Sequence, residues 1–484
     1  MKAPVIPIVP ATVPPAAADM QDAGDTIAAL ATPSGTSALA LIRVSGPLCR
    51  SLALIIFEHP AENLISRRTQ HGLYRALENG RILDDLMWVF TAGPGTSTGE
   101  DTLELSCHGN PIIIQSLIDD LFKLGCRAAD PGEFTRRAFL NGKIELTQAE
   151  AVIDLIHARS ERALNAAHRQ LQGDLGRHLN GLITQVLATL AQVEVYIDFP
   201  DEDLPPENRR LVRAEITHVL RGTERLLATH RYGDLLRDGL KTVLLGAPNA
   251  GKSSLLNALV GHERALVSAE PGTTRDFIEE RIQVGPHLLR LIDTAGLNPT
   301  PGEIERLGIA KTTERLAEAD LVLWVVDSAA GNSPTLPAHI EAHLTKENTL
   351  LVQNKSDLAV AKDRPNSTPF RALAVSALTG NGIDRLREAI VELADGLSPC
   401  LFAEEQIAVN ARHANALRRT QLALTAAIEG LSQANPIPIE LVSGDIREAL
   451  NALGEIAGRV DNERMLDALF ANFCIGKYTC TPPP

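Results

Sequence analysis

Gly246-Ala-Pro-Asn-Ala-Gly-Lys-Ser253 follows a short apolar run at 242–245 and opens onto Ser254-Leu-Leu-Asn-Ala-Leu259. A glycine-rich turn between a strand and a helix lets backbone N–H groups converge on phosphate oxygens, and the helix N-terminus adds partial positive charge. In such a loop the Lys252 ammonium bridges β- and γ-phosphates and the Ser253 hydroxyl ligates Mg²⁺. A glycine-rich surface turn would carry the same letters, so the flanking sequence has to decide between the two.

On either side of the loop, strand-like runs at 242–245, 288–292, 321–326, 349–352 and 371–375 alternate with helical spacing, which predicts a parallel sheet covered on both faces. Polar motifs fall at the ends of these runs. Asp293-Thr-Ala-Gly296 places a carboxylate where it can hold Mg²⁺ through water and a backbone N–H where it can meet the γ-phosphate. In Asn354-Lys-Ser-Asp357 the Asp357 carboxylate suits the N1–H and 2-amino donors of guanine. Adenine lacks that donor pair, so a buried carboxylate would be left unsatisfied at a cost of about 1–3 kcal/mol. Ser376-Ala-Leu378 suits a loop offering backbone N–H to guanine O6. Four motifs in this order, each closing a strand, predict a GTP-binding P-loop domain.

Pro271-Gly-Thr-Thr-Arg-Asp276 occupies the place of a first switch, where Thr274 can ligate Mg²⁺ when a γ-phosphate is present. Leu297 follows Asp-Thr-Ala-Gly, and leucine cannot orient an attacking water. Glu303, Glu305, Arg275 and Asn249 are all near enough in sequence to take over water positioning or charge neutralisation, and the residues alone do not choose among them.

The flanks read differently. Runs at 38–44, 86–90 and 102–106 look like strands and 111–124 like a helix, giving a small α+β domain at 23–141. Leu146-Thr-Gln-Ala-Glu150 looks like a capping box, with Thr147 as N-cap and Glu150 reaching back. Val186, Leu190, Val193 and Ile197 recur at helical intervals, the acidic, proline-rich stretch 198–206 breaks that helix, and a further helical stretch continues to about 237. Helical periodicity returns at 403–470, as in Ile446, Leu450 and Leu453. The expected fold class is therefore multidomain: an α+β N-terminal domain, an all-α domain in two parts (142–238 and 400–477), and an α/β P-loop GTPase domain inserted at 239–399.

Composition agrees with this plan. At 484 residues, about three domains are expected. Sixty acidic against 46 basic residues leave a net charge of -14, which argues against a general polyanion-binding surface and confines nucleic-acid contact to a local patch or a partner. The six cysteines form no Cys-x-x-Cys pair, so neither a disulfide scaffold nor structural zinc is expected, and a cytoplasmic location is. Residues 1–22, with prolines at 4, 7, 10, 14 and 15, read as a disordered extension, and 478–484 as a tail. No apolar run elsewhere reaches the ~20 residues that span a bilayer, so a membrane is not an expected partner; with a net charge of -14, neither is DNA.

The phosphate loop and Pro271-Gly-Thr-Thr-Arg-Asp276 together resemble the Era-related GTPases. Phe473-Cys-Ile-Gly-Lys477, Pro131-Gly-Glu-Phe-Thr-Arg-Arg-Ala-Phe-Leu-Asn-Gly-Lys143 and Asp198-Phe-Pro-Asp-Glu-Asp203 narrow the resemblance to the MnmE (TrmE) family of tRNA-modification GTPases, over residues 24–477. The resemblance implies a tetrahydrofolate-binding N-terminal domain and a homodimer formed through it. It also implies an FAD-containing partner, MnmG, and modification at C5 of wobble uridine in tRNA. The one-carbon unit would come from 5,10-methylene- or 5-formyl-tetrahydrofolate, with GTP as substrate and Mg²⁺ and K⁺ as cofactors.

Carried over residue by residue, the resemblance makes Asn249, Ser268, Glu270 and Thr273 the K⁺ ligands, Ser253 and Thr274 (with Asp293 through water) the Mg²⁺ ligands, and Glu305 the water-orienting carboxylate beside Lys252. Expected nucleotide contacts are Asn249, Ala250, Gly251, Lys252, Ser253 and Ser254; Ser268, Ala269, Glu270, Pro271, Gly272, Thr273 and Thr274; Asp293, Thr294, Ala295 and Gly296; Asn354, Lys355, Ser356 and Asp357; and Ser376, Ala377 and Leu378. Arg43, Glu104, Lys143 and Lys477 are the expected folate residues, and Cys474 a catalytic candidate. The alternative is an Era-like switch in ribosome assembly, but the chain shows no second phosphate loop and no Gly-x-x-Gly spacing after residue 400.

Overall fold

A computed structural model of the chain describes residues 25–57, 64–199, 209–260, 279–293, 313–330, 336–358, 368–397, 407–432, 437–458 and 470. Two compact units emerge, one containing the described residues up to Glu145 and the other running from Leu146 through the last helices.

The first unit holds β1 (Ile27–Leu30), β2 (Ser37–Ser45), α1 (Cys49–Ile56), β3 (Thr69–Arg75), β4 (Ile82–Thr91), β5 (Thr102–Gly109), α2 (Pro111–Lys123), β6 (Arg127–Ala128) and α3 (Glu133–Leu140). The sheet order is β3-β4-β5-β2-β1-β6, antiparallel throughout except for β1 beside β6. On β4 every second residue is buried, so that Leu86, Trp88 and Phe90 line one face with Leu103 and Leu105 of β5. Trp88 stacks on Phe57 at 4.7 Å. Helix α2 starts where Asn110 accepts from the Ile112 N–H at 2.9 Å, with Pro111 in the first turn. The three strand-like runs fall inside β2, β4 and β5. The edge strands β3 and β6, and the four-residue β1 inside the sheet, had no clear apolar alternation to announce them.

The second unit begins with α4 (Leu146–His157), α5 (Glu161–Leu171), α6 (Asp174–Asp198), α7 (Arg209–Ala228) and α8 (His230–Asp238). One apolar core joins α6 and α7 to the helices Ala411–Ser432 and Ile439–Ala457, through residues such as Leu179, Val186, Val212, Val219, Leu417, Leu424, Ile446 and Leu453. The helical stretch expected to run to 237 is interrupted at Thr229, between α7 and α8.

The capping box at 147–150 is not made. Helix α4 already includes Leu146, and the Thr147 hydroxyl is buried with no hydrogen-bond partner among the described residues. Glu150 is instead drawn to another helix, with its Oε1 2.8 Å from Arg412 Nε and its Oε2 2.6 Å from Nε2 of the fully buried His413. Burial alone would raise its carboxyl, but His413 and Arg412 outweigh that and hold it well below the usual carboxylate range.

Between these helices lies the second sheet. It contains β7 (Leu240–Leu245), then α9 (Lys252–Val260), β8 (Glu279–Val284), β9 (His287–Asp293), β10 (Leu321–Asp327), β11 (Thr349–Asn354) and β12 (Arg371–Ala374). The order is β12-β11-β10-β7-β9-β8. Five strands are parallel, as the near-continuous burial of Leu240-Lys-Thr-Val-Leu-Leu245 and Leu321-Val-Leu-Trp-Val-Val-Asp327 requires. The five expected runs are these five parallel strands, and the sheet gains at one edge a sixth strand that was not expected. There β8 pairs antiparallel with β9 through the tight Val284–His287 connection. Its charged Glu279-Glu280-Arg281 start concealed it from an apolar pattern.

Candidate functional site

The chain leaves β7, crosses to β9 on one side and returns to β10 on the other, so a crevice opens at the C-terminal ends of β7 and β10. Every described nucleotide motif ends a strand at this edge. The phosphate loop follows β7, Asp293 ends β9, Asn354 ends β11, and Ser376 lies two residues beyond β12.

The loop's backbone explains its glycines. Gly246 has φ +155°, and a Cβ there would lie 2.2 Å from the Val325 carbonyl of β10. Gly251 has φ +88°, and its Cβ would meet Asn354 Nδ2 at 2.2 Å. Asn249 takes a left-handed φ of 63°, which asparagine tolerates better than most residues. Lys252 opens α9 and is buried, its ammonium donating to the carbonyls of Gly246 at 3.0 Å and Ala247 at 3.1 Å. Ala250 is buried, whereas Ser253 and Ser254 are exposed on the first turn.

Asn354 ties the site together. Its Nδ2 donates to the Ala250 carbonyl at 3.0 Å and more weakly to that of Gly251 at 3.4 Å. Its Oδ1 accepts from the Ala377 N–H at 3.1 Å. One buried amide thus braces the phosphate loop against the 376–378 loop. Lys355, at φ 59°, donates to the Asn249 carbonyl at 2.8 Å and pairs with Asp327 Oδ2 at 2.6 Å. That hydrogen bond holds the Asp327 carboxyl below its ordinary range. Ser356 donates its N–H to the Val375 carbonyl at 3.0 Å. Buried Ser376 shapes its turn by accepting from the Thr379 N–H at 3.2 Å, while Asp357 and Leu378 stand exposed.

The structure therefore brings together Asn249, Ala250, Gly251, Lys252, Ser253, Ser254, Asn354, Lys355, Ser356, Asp357, Ser376, Ala377 and Leu378, with the backbone of Asp293 at the same edge. Ser268, Ala269, Glu270, Pro271, Gly272, Thr273, Thr274, Thr294, Ala295, Gly296, Glu305, Cys474 and Lys477 lie outside the described residues. Asp327 was missed in sequence. Its signal was a carboxylate closing the apolar run of β10, in register with Asn354.

In the N-terminal unit, Arg43 of β2 and Glu104 of β5 are direct cross-strand partners. Their side chains meet at 2.8 Å, partly exposed, with the guanidinium 5.9 Å from the centre of the Phe134 ring. Lys143 donates to the Pro94 carbonyl at 2.8 Å. The 131–143 motif also builds structure. Glu133 Oε2 accepts from Arg127 Nη1 and from the Asp130 N–H, both at 2.8 Å, and its Oε1 accepts from Arg137 Nη2 at 2.9 Å. Arg137 continues to Glu100 at 3.0 Å and Asp25 at 2.6 Å. Burial opposes ionisation of Glu133, but these partners outweigh it and keep the carboxyl below its usual range.

Cys49, Cys107 and Cys126 are free and buried, and burial pushes their thiols up, to about 11 for Cys107 and about 12 for Cys126. Among the described residues there is no cluster of three metal-ligating side chains and no helix long and apolar enough to cross a membrane.

Comparison with known proteins supplies the lineage. Residues 146–474 match the MnmE helical domain, and residues 26–143 match the GTP-binding protein TrmE N-terminus. A tRNA modification GTPase MnmE from Opitutus terrae is 55% identical over 455 residues, covering 94% of this chain and 99% of that protein. The one from Akkermansia muciniphila is 42% identical over 462 residues, covering 95% and 100%. That of Geotalea uraniireducens is 40% identical over 455 residues, covering 94% and 99%. The chain belongs to the MnmE family of tRNA-modification GTPases.

Proposed function

We propose that this chain is a potassium-dependent GTPase that cleaves GTP to GDP and phosphate. It acts with an FAD-containing MnmG-type partner in aminomethyl or carboxymethylaminomethyl modification of C5 of wobble uridine in tRNA. The observation that supports this best is the Asn354 brace, which sets the phosphate loop and the 354–357 base-recognition loop on one frame.

On that frame, the N–H groups of residues 249–253 receive phosphate oxygens. The Lys252 ammonium exchanges loop carbonyls for β- and γ-phosphate oxygens. The Asp357 carboxylate accepts from guanine N1–H and the 2-amino group. Exposed Ser253, at the first turn of α9, is chemically suited to Mg²⁺ together with Thr274 and a water on Asp293, and Asn249 with Ser268, Glu270 and Thr273 is suited to K⁺. When bound, these two cations neutralise charge that builds on the transferring phosphoryl group. Glu305 orients the attacking water, the task Leu297 cannot perform. Proton transfer and phosphate release are completed without a covalent enzyme intermediate.

We also assign residues 23–141 to tetrahydrofolate binding and homodimer formation, 142–238 and 400–477 to the helical domain, and 239–399 to the inserted GTPase domain. Arg43, Lys143 and Lys477 supply cationic groups for folate carboxylates, and Glu104 orients Arg43. Cys474 is the candidate thiol for the modification chemistry. The test is nucleoside analysis of tRNA from a strain lacking this protein. Loss of C5-modified wobble uridine, restored by the wild-type gene, is expected. Retention of the modification would overturn the assignment.

A further inference from the structure

We propose that the outer face of α7 is the surface on which the tRNA phosphate backbone rests, an inference that depends on the tRNA-modification reading above. The helix carries Arg209, Arg210, Arg213, Arg221 and Arg225 against only Glu215 and Glu224, in a chain whose net charge is -14. At 3.6 residues per turn, Arg210, Arg213, Arg221 and Arg225 fall within about 120° of one another and span about 22 Å of helix, enough for several consecutive phosphates. All four are exposed, and none has an acidic partner among the described residues.

The two acids are engaged elsewhere. Glu215 Oε2 accepts from Thr189 Oγ1 at 3.1 Å and Glu224 Oε1 from Gln421 Nε2 at 3.3 Å; neither forms an ion pair with the four arginines, and five guanidiniums against two carboxylates leave the helix net positive. The stripe borders a cleft of about 550 Å³ between α6 and α7, which Arg225 lines from α7 and which Arg177, paired with Asp174, lines from α6. At Gly222 the two helices approach closely enough that a Cβ would lie 2.7 Å from Leu182 Cδ2. A row of guanidiniums without carboxylate partners, longer than any single anion, fits a polyanionic strand and offers bidentate contacts to its phosphates.

The test uses the full-length protein and a fluorescently labelled unmodified tRNA transcript, with affinity measured from 50 to 200 mM KCl. Arg210→Gln/Arg213→Gln/Arg221→Gln/Arg225→Gln should bind on the order of 10³-fold more weakly at 50 mM KCl, narrowing to about tenfold at 200 mM. Its dependence of log Kd on log salt should be shallower by about three, roughly 0.7–0.9 for each of the four phosphates no longer neutralised. Arg50→Gln/Arg75→Gln/Arg81→Gln, which removes exposed charge from the other unit, should bind like the wild type. Intrinsic GTP hydrolysis and melting temperature should be unchanged in both, and Arg221→Glu alone should reproduce part of the weakening. Unchanged affinity and slope in the α7 variant, an equal weakening in the control, or full displacement of tRNA by millimolar inorganic phosphate would each overturn the surface. None of these would touch the GTPase reading, whereas a wild-type chain that hydrolyses no GTP would remove that reading whatever the tRNA affinity.

Discussion

The nucleotide loops and the Arg43–Glu104–Lys143 group are built by opposite means. The first is written locally: each described loop follows a parallel strand within two residues, so sheet topology alone carries the motifs to one edge. The second is assembled over long range. Arg43 and Glu104 meet only because β2 pairs with β5, and the motif residues Glu133 and Arg137 tie α3 to Arg127, Glu100 and Asp25. A short consecutive motif whose backbone conformation is itself the binding device reads clearly from sequence. A constellation of single side chains from distant segments does not.

Four substitutions probe this contrast, in decreasing order of effect. Glu133→Gln leaves Arg127 and Arg137 without their shared carboxylate; Glu133 and Arg137 are buried but Arg127 and Asp25 are about half exposed, so the cost should fall at the low end of the range for buried pairs, about 3 kcal/mol. Chemical denaturation should record that drop in stability. The native carboxyl lies below its unfolded value, so its stabilisation is present above the ordinary glutamate range and disappears as pH falls through the native value. Acid sensitivity of stability should therefore be flatter in Glu133→Gln, and an unaltered acid limb would show that the network contributes nothing.

Glu305→Ala should keep GTP affinity within about twofold while lowering hydrolysis on the order of 10²–10³-fold. Wild-type turnover in this variant would remove Glu305 as the water-positioning group. Asp357→Asn should erode the preference for guanine over adenine nucleotides by roughly 10–100-fold, the worth of about 1–3 kcal/mol. A competition titration with an undiminished preference would place base recognition elsewhere. Arg43→Ala removes a half-exposed ion pair, so stability should change by less than about 1 kcal/mol, while affinity for 5-formyl-tetrahydrofolate falls. Normal folate affinity would dissolve the proposed site.

Much of the fold was legible because burial imposes period. The strands of the central sheet are apolar on both faces, and the long helices repeat their apolar residues at helical intervals. What escaped was set by tertiary partners. Edge strand β8 begins with charged residues, since an edge needs no second buried face. Thr147 and Glu150 carry the letters of a capping box, but Arg412 and His413, more than 260 residues away, claim the carboxylate. Within the site, the phosphate loop, Asn354 and Asp357 were evident from spacing. The dual role of Asn354 as brace and the Asp327–Lys355 pair needed the register of β10 against β11.

The sharpest measurement is calorimetric titration of the full-length chain with GDP and with ADP in KCl and MgCl₂ buffer, followed by the same titrations on Asn354→Ala. GDP should bind the wild type at one site per chain and ADP should not, and removal of the amide brace should weaken GDP binding. Equal affinity for the two nucleotides, or GDP binding indifferent to Asn354, would contradict a guanine pocket framed by that side chain.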